Sequence, residues 1–373
     1  MTRALPLVLA LLALFTLPVP AEEALVVEET FLSVTIRDQP YRLQALVVKE
    51  AGQEGRLPVA VITHGQAAEA EKREQIEARN YLRTARDFAR RGWLAVVVVR
   101  RGFGRSEART PFALRSCTNG DYGAALDGQT DDLDAALAAI GRRADADVSQ
   151  VIALGVSVGG ATVLNWAARQ PAGLKAVINV SGGIRSQVRD GSTPNCTPGD
   201  LVPVFARIGE RSRIPTLWLY AENDSLFAPD YVRGLHEAYV AKGGRTEFHM
   251  FDPVGADGHD LFGLHDGMLR WIPVLDRFLR SNRLKTFDPA PLEAALRELG
   301  FNAAQRQWAA RYHGRPTEKA MAVSASNTKG HVHFGSADLQ ETEQKAVEEC
   351  EKVSKEKCRI VLRNFEVAPP PAH

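Results

Sequence analysis

The hydrophobic pattern of residues 24–282 alternates between short apolar runs and stretches with helical spacing. Uninterrupted apolar runs are typical of strands covered on both faces, whereas apolar residues three or four positions apart predict amphipathic helices. The predicted strands are Pro58–Thr63, Leu94–Val99, Val151–Leu154, Leu174–Val180, Pro215–Tyr220 and Thr246–Phe251, and the predicted helices between them are Glu71–Arg90, Leu133–Ile140, Ala161–Gln170 and Tyr231–Ala241. This alternation predicts an α/β fold, a mostly parallel sheet with helices on both faces.

Both ends of this region differ from its middle. Three β-rich stretches, Ala24–Val27, Phe31–Ile36 and Tyr41–Val48, predict antiparallel edge strands with a hairpin turn at residues 38–40. A closing helix is predicted over Met268–Leu279, with Pro273 kinking it or marking its start. We therefore expect one main domain over residues 22–282, with the Gly-, Ser- and Pro-rich segment 181–214 as a possible cap.

The remaining residues predict a separate, smaller unit. Segment 283–318 contains helical patterns interrupted by Gly300 and is expected to be a packed connector. Residues 319–367 predict a small α+β domain, and residues 368–373 a Pro-rich tail. The elements expected in that domain are strands Lys319–Ser324 and His331–Gly335, helix Glu341–Ser354 and strand Cys358–Val367.

The N-terminus and the cysteines indicate export. Arg3 precedes an apolar run, Leu5–Leu17, and small residues follow up to Ala21, which predicts a signal peptide over residues 1–21 and a secreted or periplasmic protein without a stable membrane anchor. The four cysteines are an even number in an oxidising compartment, so disulfides are expected. A link between Cys350 and Cys358 would support a small core, and the loop residues Cys117 and Cys196 form a candidate pair.

Composition excludes several function classes. The chain has 373 residues, 45% of them hydrophobic, which is ample for a buried core. Its formal net charge is +1 without a long run of one sign, so no nucleic-acid partner is expected. The cysteines and histidines lack zinc-like spacing, so no metal and no cofactor are expected.

The candidate chemistry begins at the segment Gly155–Gly160, with sequence GVSVGG. A serine between a strand and a helix, flanked by small residues, is forced into a sharp turn that lifts its hydroxyl above the sheet. The helix N-terminus adds backbone N–H groups where negative charge would develop. We therefore expect Ser157 to be a nucleophile, the alternative being a purely structural turn.

A nucleophilic serine needs a base and a carboxylate that orients the base. Asp224 follows the strand that ends at Tyr220, with Glu222 as its competitor, and His259 follows the next strand. The downstream alternatives His236, His249 and His265 fall in a predicted helix, a strand and a helix start. The predicted triad is therefore Ser157, Asp224 and His259, while a turn-forming Asp224 and a surface His259 are the structural alternatives.

The loops beside the elbow supply the remaining candidates. The N–H groups of Val158 and Gln66 are expected to form the oxyanion hole, with His64 and Gly65 lining the site. Arg101 and Phe103 are candidate substrate-binding residues. A salt bridge from Arg101 or Arg105 to Asp131 or Asp132 is the favoured alternative to recognition of an anionic substrate.

These motifs resemble those of the α/β-hydrolase superfamily, near its dienelactone-hydrolase and prolyl-oligopeptidase-like branches. The resemblance covers about residues 24–282 and rests on Thr63–Gly65, Arg101–Ser106, Gly155–Gly160, Asn223–Asp224 and Gly258–His259. It implies the α/β-hydrolase fold and a serine hydrolase. Dienelactone hydrolases carry a cysteine where this chain has Ser157, and the oligopeptidase propeller is absent. Segment 320–367 resembles a small cysteine-paired domain of unknown function found in secreted bacterial proteins.

The sequence thus predicts a secreted serine hydrolase that cleaves small-molecule carboxylic esters through an acyl-enzyme. A peptidase or an acyltransferase on the same triad remains an alternative, because only the leaving group and the acceptor differ. A non-catalytic envelope binding protein that keeps the fold is the other alternative, with the C-terminal domain as its working part and an unknown protein as its partner.

Overall fold

The main sheet of this computed structural model has eight strands, and the structure describes residues 25–67, 70–109, 121–184 and 201–369. The strand order is β1-β2-β4-β3-β5-β6-β7-β8. Strand β2 is antiparallel to both of its neighbours, and the others run parallel. The strands are β1 Leu25–Ile36, β2 Gln39–Glu50, β3 Leu57–Thr63, β4 Leu94–Val98, β5 Ala146–Val156, β6 Leu174–Val180, β7 Thr216–Ala221 and β8 Thr246–Phe251.

Helices cover both faces of this sheet. Alternate residues of β3 enter different cores: Val59 and Val61 pack on the side of α3–α6, and Ala60 and Ile62 on the side of α2 and α7. The uninterrupted apolar runs of the sequence are explained by this double burial, and the predicted fold class is confirmed. The helices are α1 Ala70–Glu74, α2 Leu82–Ala89, α3 Tyr122–Ile140, α4 Val158–Arg169, α5 Leu201–Arg211, α6 Pro229–Ala241 and α7 His265–Ser281.

Several predicted boundaries were wrong. The first two β-rich stretches form one continuous strand, β1, because an edge strand leaves the side chains of Glu28 and Glu29 partly exposed, where both pair with arginines. The hairpin turn lies at Arg37 and Asp38, both with positive φ, instead of at residues 38–40. Pro273 lies well inside α7, so it does not mark the start of the closing helix.

The predicted helix Glu71–Arg90 is also broken, into α1, a 3₁₀ turn Ala78–Tyr81 and α2. Glu77 and Asn80 exchange side-chain and backbone hydrogen bonds, which start a new helical segment.

The segment predicted as a possible cap contains a helix. Its residues 185–200, with Cys196, lie outside the described residues, as does Cys117. Residues 201–211 form α5, whose Leu201, Phe205 and Ile208 are buried in the main core. Their i, i+4, i+7 spacing is helical, so this part of the segment belongs to the core.

A second, antiparallel sheet follows the connector. Its order is β10-β9-β11-β12. Helix α10 covers one face, and α8 and α9 cover the other, so the connector packs on this sheet as expected. The predicted last strand is two strands with a turn at Asn364, where φ is 43°. The elements are α8 Ala290–Glu298, α9 Ala303–Ala310, β9 Lys319–Ser324, β10 Gly330–Phe334, α10 Leu339–Ser354, β11 Cys358–Arg363 and β12 Glu366–Val367. Within the described ranges, no helix is both long and apolar enough to cross a membrane.

A buried polar network joins the second sheet to the main one. Arg91, two residues after α2, makes a bidentate ion pair with Asp276 of α7, at 2.7 and 2.9 Å. Asp87 accepts hydrogen bonds from the backbone and hydroxyl of Thr317, just before β9. Lys319, fully buried, donates to three carbonyls at 2.9–3.2 Å. Because each charged group has a partner, the two sheets are held in a defined arrangement.

The Cys350–Cys358 disulfide joins α10 to β11, which confirms this predicted pair. Replacing both cysteines with Ala should lower the free energy of unfolding by about 2–3 kcal/mol, because the unfolded chain loses a constraint on a short loop. Urea unfolding of the variant, compared with the wild type with and without reductant, measures this. An unchanged midpoint would show that the link stabilises nothing.

Lys319 gives a pH-dependent prediction. Burial and the neighbouring charge of Arg91 lower the pKa of Lys319 to about 7, against about 10.4 in an unfolded chain. Between these values the unfolded state binds more protons, so this residue makes the free energy of unfolding rise with pH by up to about 1.4 kcal/mol per pH unit. The rise is complete near pH 10, and below pH 7 the full cost of the buried charge is present.

Lys319→Met should remove this increment, whereas Lys329→Met, at an exposed lysine, should keep it. Urea unfolding at pH 7, 8 and 9 tests the difference. Parallel pH dependences for the wild type and Lys319→Met would contradict the assignment.

Candidate active site

Ser157 lies at the sharp turn between β5 and α4, with φ 55° and ψ −124°. The residues two positions before and after it must be glycine, because a Cβ on Gly155 would lie 2.1 Å from the Gly159 carbonyl oxygen, and one on Gly159 2.3 Å from that of His64. The elbow is fixed from below, since the Ser157 carbonyl accepts hydrogen bonds from the N–H groups of Gly160 and Gly183. The predicted geometry of a nucleophile elbow is therefore present.

The structure brings Ser157, His259 and Asp224 together. The His259 Nε2 lies 3.2 Å from the Ser157 Oγ. The Nδ1 of the same ring lies 3.1 Å from one Asp224 carboxylate oxygen and 3.2 Å from the other. The Asp224 side chain is fully buried, and 16% of the His259 side chain is exposed. This chain of contacts can move a proton from the serine to the imidazole while a carboxylate faces the imidazolium that results.

The carboxylate of Asp224 is held by its own loop. One of its oxygens accepts hydrogen bonds from the backbone N–H groups of Leu226 and Phe227, at 2.8 and 2.9 Å. The Phe227 ring in turn packs against the His259 ring, with 5.5 Å between centroids. Glu222, the competing acid, is exposed. The geometry therefore favours Asp224 over Glu222 as the partner of the histidine.

Two polar residues that sequence reasoning missed connect the loops after β7 and β8. The Asp257 carboxylate accepts hydrogen bonds from the Ser225 backbone and hydroxyl, at 3.0 and 2.5 Å, and from the His259 N–H at 2.9 Å. Asn223 bonds to the backbone of Val254. The sequence favours Asp257 and Asp260 as solvated neighbours over triad members; in the structure Asp260 is exposed, whereas Asp257 is half-buried and ties the two loops together. Its position two residues before His259, as a helix-capping residue type, was the available signal.

The loop after β3 passes directly over the elbow. A Cβ on Gly65 would lie 3.2 Å from the Ser157 Cβ and 3.8 Å from its Oγ, so a larger residue here would have to displace the loop or the serine by a few tenths of an ångström. His64 is fully buried, and its ring lies 4.6 Å from that of Phe103. Burial and the charge of Arg100 hold the pKa of His64 well below its usual range, so the ring is neutral. His64 and Phe103 support this loop from below and expose no surface to a substrate.

The Arg101 side chain forms a buried ion pair with Asp132, through Nε at 2.5 Å, and its backbone N–H donates to the same carboxylate. This is the salt bridge expected as the structural alternative. Arg105 does not bind Asp131 or Asp132; it pairs with Glu29 on the surface. Neither arginine therefore places an unpaired charge at Ser157.

A cleft of about 530 Å³ opens beside the histidine loop. Tyr81 and Arg83 line one side of it, and Phe262 and Met268 the other. Phe262 follows His259 by three residues, and Tyr81 hydrogen bonds to the Gly65 backbone, so the cleft borders both loops of the site. Among the described residues, no group of three His, Cys, Asp or Glu side chains is placed to hold a metal ion.

Comparison with known proteins gives a match to a family model. Residues 61–207 match the model of a hydrolase family described as serine aminopeptidase, S33. No curated protein matches the chain.

Among solved structures, the chain is similar to an acetyl xylan esterase from Paenibacillus sp. R4, with 15% identity, a TM-score of 0.49 and coverage of 71% of this chain and 86% of that one. It is also similar to an esterase from Pyrococcus furiosus, with 12% identity, a TM-score of 0.48 and coverage of 68% of this chain and 91% of that one. A third similar structure is a dienelactone hydrolase-like promiscuous phosphotriesterase from metagenomic libraries, with 18% identity, a TM-score of 0.42 and coverage of 62% of this chain and 83% of that one. Such distant likenesses identify no substrate.

The matched family segment runs from β3 through the elbow into α5, and so includes the loop over Ser157 and the serine itself. The remaining strands complete the same sheet in a single order. By its sheet, its elbow and this match, the chain has the α/β-hydrolase fold.

Proposed function

We propose that the protein hydrolyses carboxylic esters, with Ser157 as nucleophile, His259 as general base and acid, and Asp224 as the residue that orients His259. The observation that carries this proposal is the unbroken contact from the Ser157 hydroxyl through the imidazole to a buried carboxylate, at 3.2 and 3.1 Å. The same three residues were predicted from their positions after β5, β7 and β8. A merely structural elbow would not require a buried carboxylate behind the histidine.

The reaction follows from this geometry. His259 takes the hydroxyl proton as Ser157 Oγ bonds to the ester carbonyl carbon, and the carbonyl oxygen becomes an oxyanion. The N–H groups of Val158 and Gln66 would bind that oxyanion. The alcohol leaves with the proton from His259, and an acyl-enzyme remains. Water then attacks the acyl carbon and gives a proton to His259, which passes it to Ser157 Oγ as the acyl–oxygen bond breaks, releasing the acid and restoring the free hydroxyl.

Peptide hydrolysis is the second candidate, because the matching family model is described as a serine aminopeptidase. The same residues would serve it, with an amine as leaving group. Activated aryl esters assayed beside aminoacyl anilides of matched size separate the two. Anilide hydrolysis that equals or exceeds ester hydrolysis would favour the peptidase.

We also propose that the chain is exported to an oxidising compartment. The N-terminal pattern of Arg3 and the run Leu5–Leu17 supports this, and a disulfide between Cys350 and Cys358 is chemistry that persists outside the cytosol. N-terminal sequencing of protein recovered from the periplasm or medium should give a start near Glu22. A start at Met1 would contradict this proposal.

Ser157→Ala should lower kcat for an activated ester by about 10⁶, since the nucleophile is lost. Its circular dichroism and unfolding midpoint should stay close to those of the wild type. A fluorophosphonate probe should label the wild type but not the variant. Ester hydrolysis by the pure variant at the wild-type rate would refute the triad.

Asp257→Ala should lower kcat about tenfold to a hundredfold, because the histidine loop loses its attachment to Ser225 and a small misplacement of His259 is costly. Asp260→Ala is the matched control, since Asp260 is exposed on the same loop. It should retain nearly full activity. Equal kcat values for the two variants would show that Asp257 does not position His259.

A further inference from the structure

Arg100 is a fully buried arginine directly beneath the loop that covers Ser157. Its Nη1 donates to the Thr63 hydroxyl at 2.6 Å, and its Nη2 to the Gly65 carbonyl at 3.2 Å. Its backbone N–H donates to His64 Nε2 at 2.9 Å. Every one of these bonds goes to the end of β3 or to the loop that follows it, so Arg100 serves that loop.

The charge of Arg100 has no carboxylate of its own in the part of the chain that the structure describes. The charge of the Asp132 carboxylate acts on Arg100, but this carboxylate accepts its hydrogen bonds from the backbone and side chain of Arg101. Burial lowers the pKa of Arg100 to about 10, which still leaves it protonated at neutral pH. A desolvated, unpaired cation is costly, so its position calls for a specific role.

The Gly65 carbonyl is the point where this charge acts. It accepts the Arg100 bond and a second bond at 2.6 Å from His64 Nδ1, which carries the proton because Nε2 accepts from Arg100. The carbonyl oxygen of Gly65 and the N–H of Gln66 belong to one planar trans peptide and point in opposite directions. Holding the oxygen inward therefore aims the Gln66 N–H outward, on the side of the loop away from Arg100.

Gly65 lies directly against Ser157, since a Cβ on it would be 3.2 Å from the Ser157 Cβ and 3.8 Å from its Oγ. An N–H on that side of the loop would face the serine hydroxyl, where an oxyanion would form. Hydrogen bonds to a peptide carbonyl polarise the peptide and strengthen its N–H as a donor. A fixed positive charge behind the peptide adds to this effect in a site of low dielectric constant.

We infer that Arg100 is a positioning residue of the oxyanion hole, which fixes and polarises the Gly65–Gln66 peptide through the Gly65 carbonyl. This inference rests on the proposed ester hydrolysis. The two adjacent arginines therefore have different roles. Arg100 acts on the reaction through Gln66, and Arg101 ties its own loop to Asp132.

The test compares Arg100→Met, Arg100→Lys and Arg91→Met. Arg91 is the matched control, because it is another buried arginine and its ion pair is with Asp276 of α7, in the network that joins the two sheets. Arg100→Met should lower kcat about 10- to 100-fold with little change in KM, since removing a whole oxyanion donor costs about 100- to 1,000-fold. Arg100→Lys should recover part of the loss. Arg91→Met should lower the unfolding midpoint but keep the kcat of the folded fraction.

A boronic acid that forms a tetrahedral adduct with Ser157 gives a second readout. Its affinity should fall in Arg100→Met by about the same factor as kcat, whereas affinity for the carboxylate product should not change. Thr63→Val removes one bond to Arg100 but keeps the charge, and should lower kcat by a smaller factor even if Arg100→Met does not fold. Unchanged kcat and boronate affinity in Thr63→Val and Arg100→Lys would overturn the inference.

The wild type separates this result from failure of the proposed function. A wild type that neither hydrolyses esters nor reacts with a fluorophosphonate would refute ester hydrolysis itself. An active wild type whose Arg100 variants lose only stability would refute the role of Arg100 alone.

Discussion

The site depends on the close approach of three backbone segments at Ser157. The serine is held at a positive φ, which costs about 1–3 kcal/mol for a residue other than glycine. That conformation persists because β6 and the glycines after the elbow bind its backbone, and because the loop after β3 lies on it without an intervening side chain. A larger residue at position 65 or 159 would push the loop after β3 away from the elbow. The Ser157 hydroxyl would then lose its contact with that loop.

The parts of the fold that could be predicted are those set by local pattern. Strands buried on both faces must be apolar throughout, and a strained serine must have small neighbours, so both can be recognised without knowing the chain path. The order of the strands then places Asp224 and His259 at the same edge as Ser157. Boundaries were predicted less well, because an exposed edge strand such as β1 tolerates Glu28 and Glu29, which the pattern presents as an interruption.

What could not be predicted depends on the path of loops and on contacts between distant segments. Asp257 supports His259 only because the loop after β7 brings Ser225 to it. The network of Asp87, Arg91 and Lys319 joins residues more than 200 positions apart, and each of them alone resembles an ordinary surface charge. Lys319 in particular lies in a predicted strand, where burial on both faces turns a charged residue into part of a core.

Two buried charges, those of Asp224 and Arg100, lie on either side of the proposed reaction at the Ser157 hydroxyl. In the proposed reaction, attack by Ser157 on a carbonyl would develop positive charge on His259 and negative charge on the substrate oxygen. The structure holds the carboxylate of Asp224 against the first, and the guanidinium of Arg100 behind the peptide that would bind the second. Because both fixed charges are buried, water screens them little, and neither must move during the reaction. The cost of burying them is met on folding, before any substrate arrives, which is the condition under which electrostatic stabilisation lowers a barrier.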